Sequence, residues 1–443
     1  MTTHRVRRLP VDTGRSGWEA ISRRTLPVRA LEADETAEWL VIGAGFAGLS
    51  AARRLTQARP GERIVVLDAR ELAQGPAGRN SGFMIDVPHN LSGGEYTSGD
   101  AGGTMLEMAQ NRLAIAFAKE AAAEYAMPQQ TFDPCGKLNA SATDRGDKLN
   151  AGFAASLEKI GEPLRLIGAA EMHAITGTTY YRGGLYTPGA VLIQPADYIR
   201  SLAAGLAPKI ALYENSPVTE LTRQGPAWTA RTPKGSVTAP KVILGVNGLV
   251  QEFGHFRGRL MHVFTYASMT APFDPAKAGR DRWGLLPADP MGATVRKITG
   301  ADGARIVIRT RFTYDPSVQV SEKRVAGIAA EQRRSFDARF ADLAGLRFEN
   351  SWAGRLCLSL NHVPAFGEVE DGLFSACCEN GLGTVKSTLA GMMAADLATG
   401  RQSEDLARYA DQPQPKRLPP QPFAWLGASA VIRWQEMRAG REG

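Results

Sequence analysis

Cysteine and histidine are scarce in this chain of 443 residues, with four of the first and six of the second. Cys135, Cys357, Cys377 and Cys378 form no C-x-x-C pair and no Cys/His set with zinc-like spacing, so no metal site is expected. Such usage fits a reducing, cytoplasmic setting, with the vicinal Cys377 and Cys378 read as small buried apolar residues on a strand. Nowhere does the sequence approach the ~20 uninterrupted apolar residues of a membrane helix, which excludes an integral helical membrane protein. The first thirty residues carry Arg5, Arg7, Arg8, Arg15, Arg23, Arg24 and Arg29 but lack the continuous apolar stretch of a secretory signal. A surface arm anchored by Trp18 and Leu26 is the expected reading, and an Arg-rich organellar leader is the alternative. Charge clustering is also missing. The formal net charge is +7, yet the basic residues alternate with acids, so no strip for nucleic acid emerges.

What is present is an ordinary globular composition, 44% hydrophobic and 22% charged, in a chain long enough for more than one core. Trp39 to Gly43 is apolar without alternation, the pattern of a parallel strand buried on both faces. Phe46 to Gln57 predicts a helix with Leu49, Ala52 and Leu55 near one face, and Arg63 to Asp68 a second buried strand. A Gly-rich irregular stretch, Gly75 to Gly103, precedes helices predicted over 105–125, 144–160 and 195–206. Short strands are predicted over 211–213, 228–231 and 241–245, the last apolar throughout and so a return to the parallel sheet. Between Leu260 and Tyr314 the pattern turns antiparallel, with 293–298 and 305–312 joined by a hairpin at Thr299 to Gly303. A charged helix over 320–340, a strand over 373–378 and a small-residue helix over 384–398, closed by Gly400, follow. From Asp411 the tail is Pro-rich and then apolar, with Phe423, Trp425, Leu426 and Trp434, and reads as a segment strapped onto the body.

Between the first strand and helix stands Gly43-Ala44-Gly45-Phe46-Ala47-Gly48, a G-x-G-x-x-G. Its context, rather than the pattern itself, makes it informative. The first glycine permits the tight turn, the second lets backbone approach a pyrophosphate, and the third lets helix and strand pack closely. Phosphate oxygens then meet the free N–H groups at the helix N-terminus. Asp68, followed by Ala69 and Arg70, ends the second strand, where a carboxylate accepts from ribose hydroxyls and disfavours a 2′-phosphate.

Gly75-Pro-Ala-Gly78-Arg79-Asn80-Ser81-Gly82 follows about ten residues later, and here the chain resembles the D-amino-acid oxidase superfamily of FAD-dependent amine oxidoreductases. The resemblance recurs at Gly189 to Leu206, at Ser216-Pro-Val218-Thr-Glu220, at Lys241 to Gly248 and at Asp371 to Gly391. It is most similar to the gamma-glutamylputrescine oxidase group. The resemblance implies that Gly78, Arg79, Asn80 and Ser81 run beneath the flavin, that Val218 contacts the adenine side, and that Asn247 and Gly248 close a strand end. It also implies that Gly381, Leu382, Gly383 and Thr384 present a helix N-terminus to the N1–C2=O edge of the reduced ring. Leu382 stands where relatives often have His, and no motif for covalent flavin attachment is found, so non-covalent FAD is expected. Several relatives place a lysine near the flavin to promote reaction with oxygen; Lys297 and Lys386 are the candidates. Arg296, Arg309 and Arg311 are candidates for a substrate anion, with Arg309 and Arg311 on one strand face by alternation. His262 and Tyr266 are further candidates, each also readable as a core residue.

These readings combine into an α/β protein with a Rossmann-type FAD-binding domain (36–128, 168–252 and 346–410), the glutathione-reductase-like arrangement. A mixed, largely antiparallel substrate domain (129–167 and 253–345) is inserted, with an amino-terminal arm (1–35) and a tail (411–443). The expected reaction is oxidation of the C–N bond of a small amine or amino acid to an imine, hydrolysed to an aldehyde or keto acid, with reoxidation by oxygen. Alternatives are an amine dehydrogenase passing electrons to a partner and a flavoprotein acting on tRNA.

Overall fold

The computed structural model describes residues 2–22, 26–87 and 101–443. Arg23, Arg24 and residues 88–100 of the Gly-rich stretch lie outside the described residues. A six-stranded sheet carries the cofactor half, in the spatial order Ala211–Tyr213, Ile64–Leu67, Trp39–Ile42, Lys241–Leu244, Leu373–Cys377, Ala365–Glu370. The first five strands run parallel and the last antiparallel. Trp39–Ile42 and Ile64–Leu67 are buried at every position, as their unbroken apolar runs require of strands covered on both faces. The helices Phe46–Ala58 and Gly383–Ala398 cross closely on one face, because a Cβ on Gly391 would lie 2.0 Å from the Ala47 carbonyl oxygen. Cys377 and Cys378 are buried and unbridged.

The second half is an eight-stranded, mainly antiparallel sheet ordered Phe348–Ser359, Leu260–Thr270, Gly303–Tyr314, Thr294–Gly300, Trp283–Pro287, Lys137–Ser141, Gly183–Thr187, Arg165–Gly168. The Gly300 to Gly303 turn closes the hairpin the sequence signals. Two of its strands come from segments expected in the cofactor half. Gly183–Thr187 pairs with Lys137–Ser141, and Phe348–Ser359 forms the edge beside Leu260–Thr270. The chain therefore changes halves later, near Thr187 and Ser359, because short alternating strands carry no mark of the sheet they join.

Two elements were invisible to periodicity. Thr2–Arg5 is an edge strand on Glu220–Gln224, so the arm starts as sheet. The tail contains the helix Phe423–Ala439, docked on Gly303–Tyr314, with Phe423, Trp425, Leu426 and Trp434 exposed rather than packed. Among the described residues no helix is long and apolar enough to cross a membrane.

Candidate active site

Gly43 takes φ 101°, a conformation few side chains tolerate, and its N–H donates to the Leu67 carbonyl at 2.7 Å. A Cβ on Gly48 would stand 1.7 Å from the Gly43 carbonyl oxygen, so only glycine lets the helix start against the turn. The N–H groups of Ala44 and Arg70 donate to the two Asp68 oxygens at 2.7 and 2.9 Å. Those bonds lock the carboxylate beside the helix N-terminus, while desolvation raises its pKa from 3.8 to about 6.

The Gly78 to Phe83 loop is held by its own carbonyls. Ser16 Oγ donates to Gly78 O (2.7 Å), Trp352 Nε1 to Arg79 O (3.0 Å), Trp18 Nε1 to Asn80 O (2.8 Å) and Arg296 Nη1 to Gly82 O (3.0 Å). The Arg79 guanidinium turns away from the loop and donates to the carbonyls of Thr13, Gly14, Gln74 and Ala353. Four buried side chains from distant segments thus fix one backbone path, satisfying groups that burial would otherwise penalise. Thr384 Oγ1 donates to Phe83 O at 2.5 Å, joining this loop to the closing helix.

One cleft runs past these elements. Its walls include Gly43, Ala44, Gly45, Phe46, Ala47, Asp68, Ala69 and Arg70 at the cofactor-sheet end, together with Val218, Arg79, Asn80 and Ser81. Asn247, Gly248, Gly381, Leu382, Gly383 and Thr384 complete that stretch. Gly48 and Gly78 do not line it; they make close backbone contacts behind it, where a Cβ on Gly78 would sit 1.9 Å from Ala73 O. Beyond Phe83 the cleft reaches the antiparallel sheet at Thr265, Leu286, Arg309 and Phe312. The donor set fits FAD: a glycine turn whose space a Cβ would fill, a bound carboxylate at the strand end, and a helix N-terminus at Gly383.

Of the candidates on the substrate side, Arg309 lines the cleft, donates to Thr294 Oγ1 at 2.7 Å, and lies 5.0 Å over the Phe312 ring. Arg311 does not share its face. The strand bulges at Arg311, which has φ 60°, since Thr265 pairs with Phe312 and Tyr266 with Thr310. Alternation is reset, so Phe312 joins Arg309 at the cleft while Arg311 binds Glu331 and Glu436, both at 2.7 Å. Tyr266 points to the opposite face and bonds Thr313 Oγ1 at 2.7 Å, leaving its neighbour Thr265 at the cleft. Arg296 is buried, holds the carbonyls of Gly82 and Ile193, and lies over Trp18, so it shapes the site from behind.

Lys297 is also buried, with Nζ donating to the carbonyls of Pro275 (2.6 Å) and Arg280 (2.9 Å). Lys386 pairs with Glu107 at 2.8 Å. Neither lysine lines the cleft. His262 does line it, and burial lowers its pKa to about 4. Gln251 Oε1 accepts from Gly258 N at 3.0 Å, which turns its amide nitrogen toward His262 Nε2 at 3.1 Å. His262 Nε2 is therefore an acceptor already engaged, and the ring is no free base.

Several lining residues escaped the sequence reading. Val6, Arg8, Leu9 and Pro10 of the arm border the Asp68 end, and Asp12 forms a buried bidentate pair with Arg355 at 3.1 and 3.2 Å. Glu379, beside the Gly381 turn, accepts from Cys357 N at 3.0 Å, and burial raises its pKa. Only the stranded position of an acid between Cys378 and Asn380 hinted at it.

A family model described as "DAO: FAD dependent oxidoreductase" matches residues 38–397. The chain is 24% identical to a probable oxidoreductase OrdL of Rhizobium meliloti (89% of this chain, 90% of that protein). It is 26% identical to the gamma-glutamylputrescine oxidoreductase of Escherichia coli (90% and 92%). Its fold matches the crystal structure of glycine oxidase from Geobacillus kaustophilus with a TM-score of 0.70 at 18% identity, covering 87% of this chain and 100% of that one.

Proposed function

The chain belongs to the DAO family of FAD-dependent oxidoreductases, and from that premise we propose that it oxidises the C–N bond of a small amine carrying an anionic group. The imine product is hydrolysed by water to an aldehyde or keto acid. Bound FAD supplies the acceptor for the hydride on the carbon next to nitrogen. The observation that carries this reading is the single cleft joining the Gly43 turn and Asp68 to Arg309 on the antiparallel sheet.

The chain's own groups divide the remaining work. Gly43 to Ala47, Asp68, Val218, Asn80, Ser81 and Gly381 to Thr384 hold the cofactor. The N-terminus of Gly383–Ala398 offers N–H groups and a positive dipole end to negative charge developing at the cleft floor. Arg309, oriented by Thr294 and backed by Phe312, receives the substrate's anion, and Thr265 and Leu286 flank it. No base is assigned: His262 is neutral with its acceptor nitrogen engaged, and the amine enters unprotonated. Gamma-glutamylputrescine and glycine, the substrates named for two similar proteins, are both amines bearing a carboxylate, which supports this reading.

Paired amines differing only in a carboxylate test this reading. The wild type should favour the acid, and Arg309→Met should erase the preference by raising KM for the acid alone. Equal use of both amines by the wild type would contradict it.

One observation favours a second reading for reoxidation. Among the described residues no lysine lines the cleft, so a protein or quinone acceptor is an alternative to oxygen. Stoichiometric hydrogen peroxide in air would decide for oxygen, and slow turnover relieved by an artificial acceptor would decide for a dehydrogenase.

A further inference from the structure

Three potential metal ligands converge from three segments. His4 lies on the strand Thr2–Arg5, His255 follows the turn Asn247–Phe253, and Glu370 ends Ala365–Glu370. His4 Nε2 is 2.6 Å from Glu370 Oε1, His255 Nε2 is 3.3 Å from the same oxygen, and all the ligand atoms lie within 4.8 Å of one another. His255 Nε2 is buried and makes no hydrogen bond, although it stands so near the carboxylate. A nitrogen in that position has a lone pair or a proton without a partner, a cost that a metal ion removes. Gly254, at φ 92°, permits the approach, since a Cβ there would sit 2.6 Å from His4 Nδ1.

We propose that His4, His255 and Glu370 form a binding site for a first-row divalent cation of the zinc type, which staples the amino-terminal strand to the body. Two imidazoles and one carboxylate suit zinc, cobalt, nickel or copper better than calcium or magnesium. Metal–ligand bonds of about 2.0–2.2 Å put tetrahedral ligand atoms about 3.3 Å apart. The His255–Glu370 separation has that value, and the His4–Glu370 pair has to open by less than an ångström. Water takes the fourth position. The staple matters because the same strand leads directly into Val6, Arg8, Leu9 and Pro10, which border the cleft.

The test uses the full, untagged chain and zinc alone. Equilibrium dialysis should find a single tight equivalent, and H255A and Glu370→Gln should each weaken it about tenfold or more. The Gln variant keeps the side chain's shape, so its loss of zinc cannot be blamed on misfolding. Zinc should also slow tryptic cleavage at Arg5, Arg7 and Arg8, all exposed, in the wild type and not in E370Q. Absence of a stoichiometric site, or zinc binding indifferent to both substitutions, would overturn the site; unchanged cleavage of the zinc-loaded arm would overturn the staple.

Discussion

At the scale of single residues, Asp68 shows how one environment serves two purposes. Burial favours its neutral form, whereas the N–H groups of Ala44 and Arg70 favour the carboxylate, and the balance leaves its pKa near 6. A carboxyl whose folded pKa exceeds its unfolded value binds more protons when folded, so this group's contribution to apoprotein stability falls as pH rises from about 4 to 6. If the ionised form accepts from a ribose hydroxyl of the cofactor, as proposed, FAD binding should run the other way. Affinity measured by flavin fluorescence should weaken as pH drops below 6, and Asp68→Asn should flatten that dependence while loosening FAD by about tenfold. A pH-independent affinity in the wild type would remove Asp68 from the ribose site. Arg309 and Arg311 make a second residue-scale test. Arg309→Met should raise KM for an acidic substrate by about 2 kcal/mol of lost binding, in the range for a charged hydrogen bond, while Arg311→Ala should leave KM unchanged. The sequence made these two arginines equivalent by alternation, and only the bulge at Arg311 separates them. A bulge is one residue gained against a partner strand, so it depends on a pairing that a single segment does not contain.

At the scale of elements, the Gly78 to Phe83 loop was legible as a motif but not as a structure. The residues Arg79, Asn80 and Gly82 identified it, yet what holds it is Ser16, Trp18, Arg296 and Trp352, spread over the whole chain. Such convergence has no local signature. It also explains why Arg296, read as a substrate ligand, turned out to be a clamp on Gly82. Trp18→Ala should therefore do two things at once. It should cost about 3–5 kcal/mol for the cavity left by a fully buried indole. It should also lower the flavin content of purified protein, read as the ratio of visible to ultraviolet absorbance, because Asn80 O loses its donor. Full flavin occupancy in that variant would mean the loop keeps its path without the indole. The helix Phe46–Ala58 gives a sharper expectation: Gly48→Ala has nowhere to place its methyl and should abolish FAD binding, checked by the same absorbance ratio.

At the scale of the whole molecule, the parallel sheet was readable because strands buried on both faces are unbroken apolar runs, and the glycine turn was readable from its place between strand and helix. The second sheet was readable as antiparallel but not in extent. Gly183–Thr187 and Phe348–Ser359 join it from segments that look no different from their neighbours. The amino-terminal segment was legible only through its anchors Trp18 and Leu26, which both pack on the core. Its edge strand and the Asp12–Arg355 pair arise from contacts with residues more than two hundred positions away. Whether these parts make one amine-oxidising site is read most plainly in the visible spectrum of the flavin under anaerobic titration. With glycine, other amino acids, ω-amino acids and simple amines added in turn, an amine that carries a carboxylate should bleach the flavin rapidly and its uncharged analogue should bleach it little. A flavin-replete protein that no amine bleaches would contradict the amine-oxidising reading.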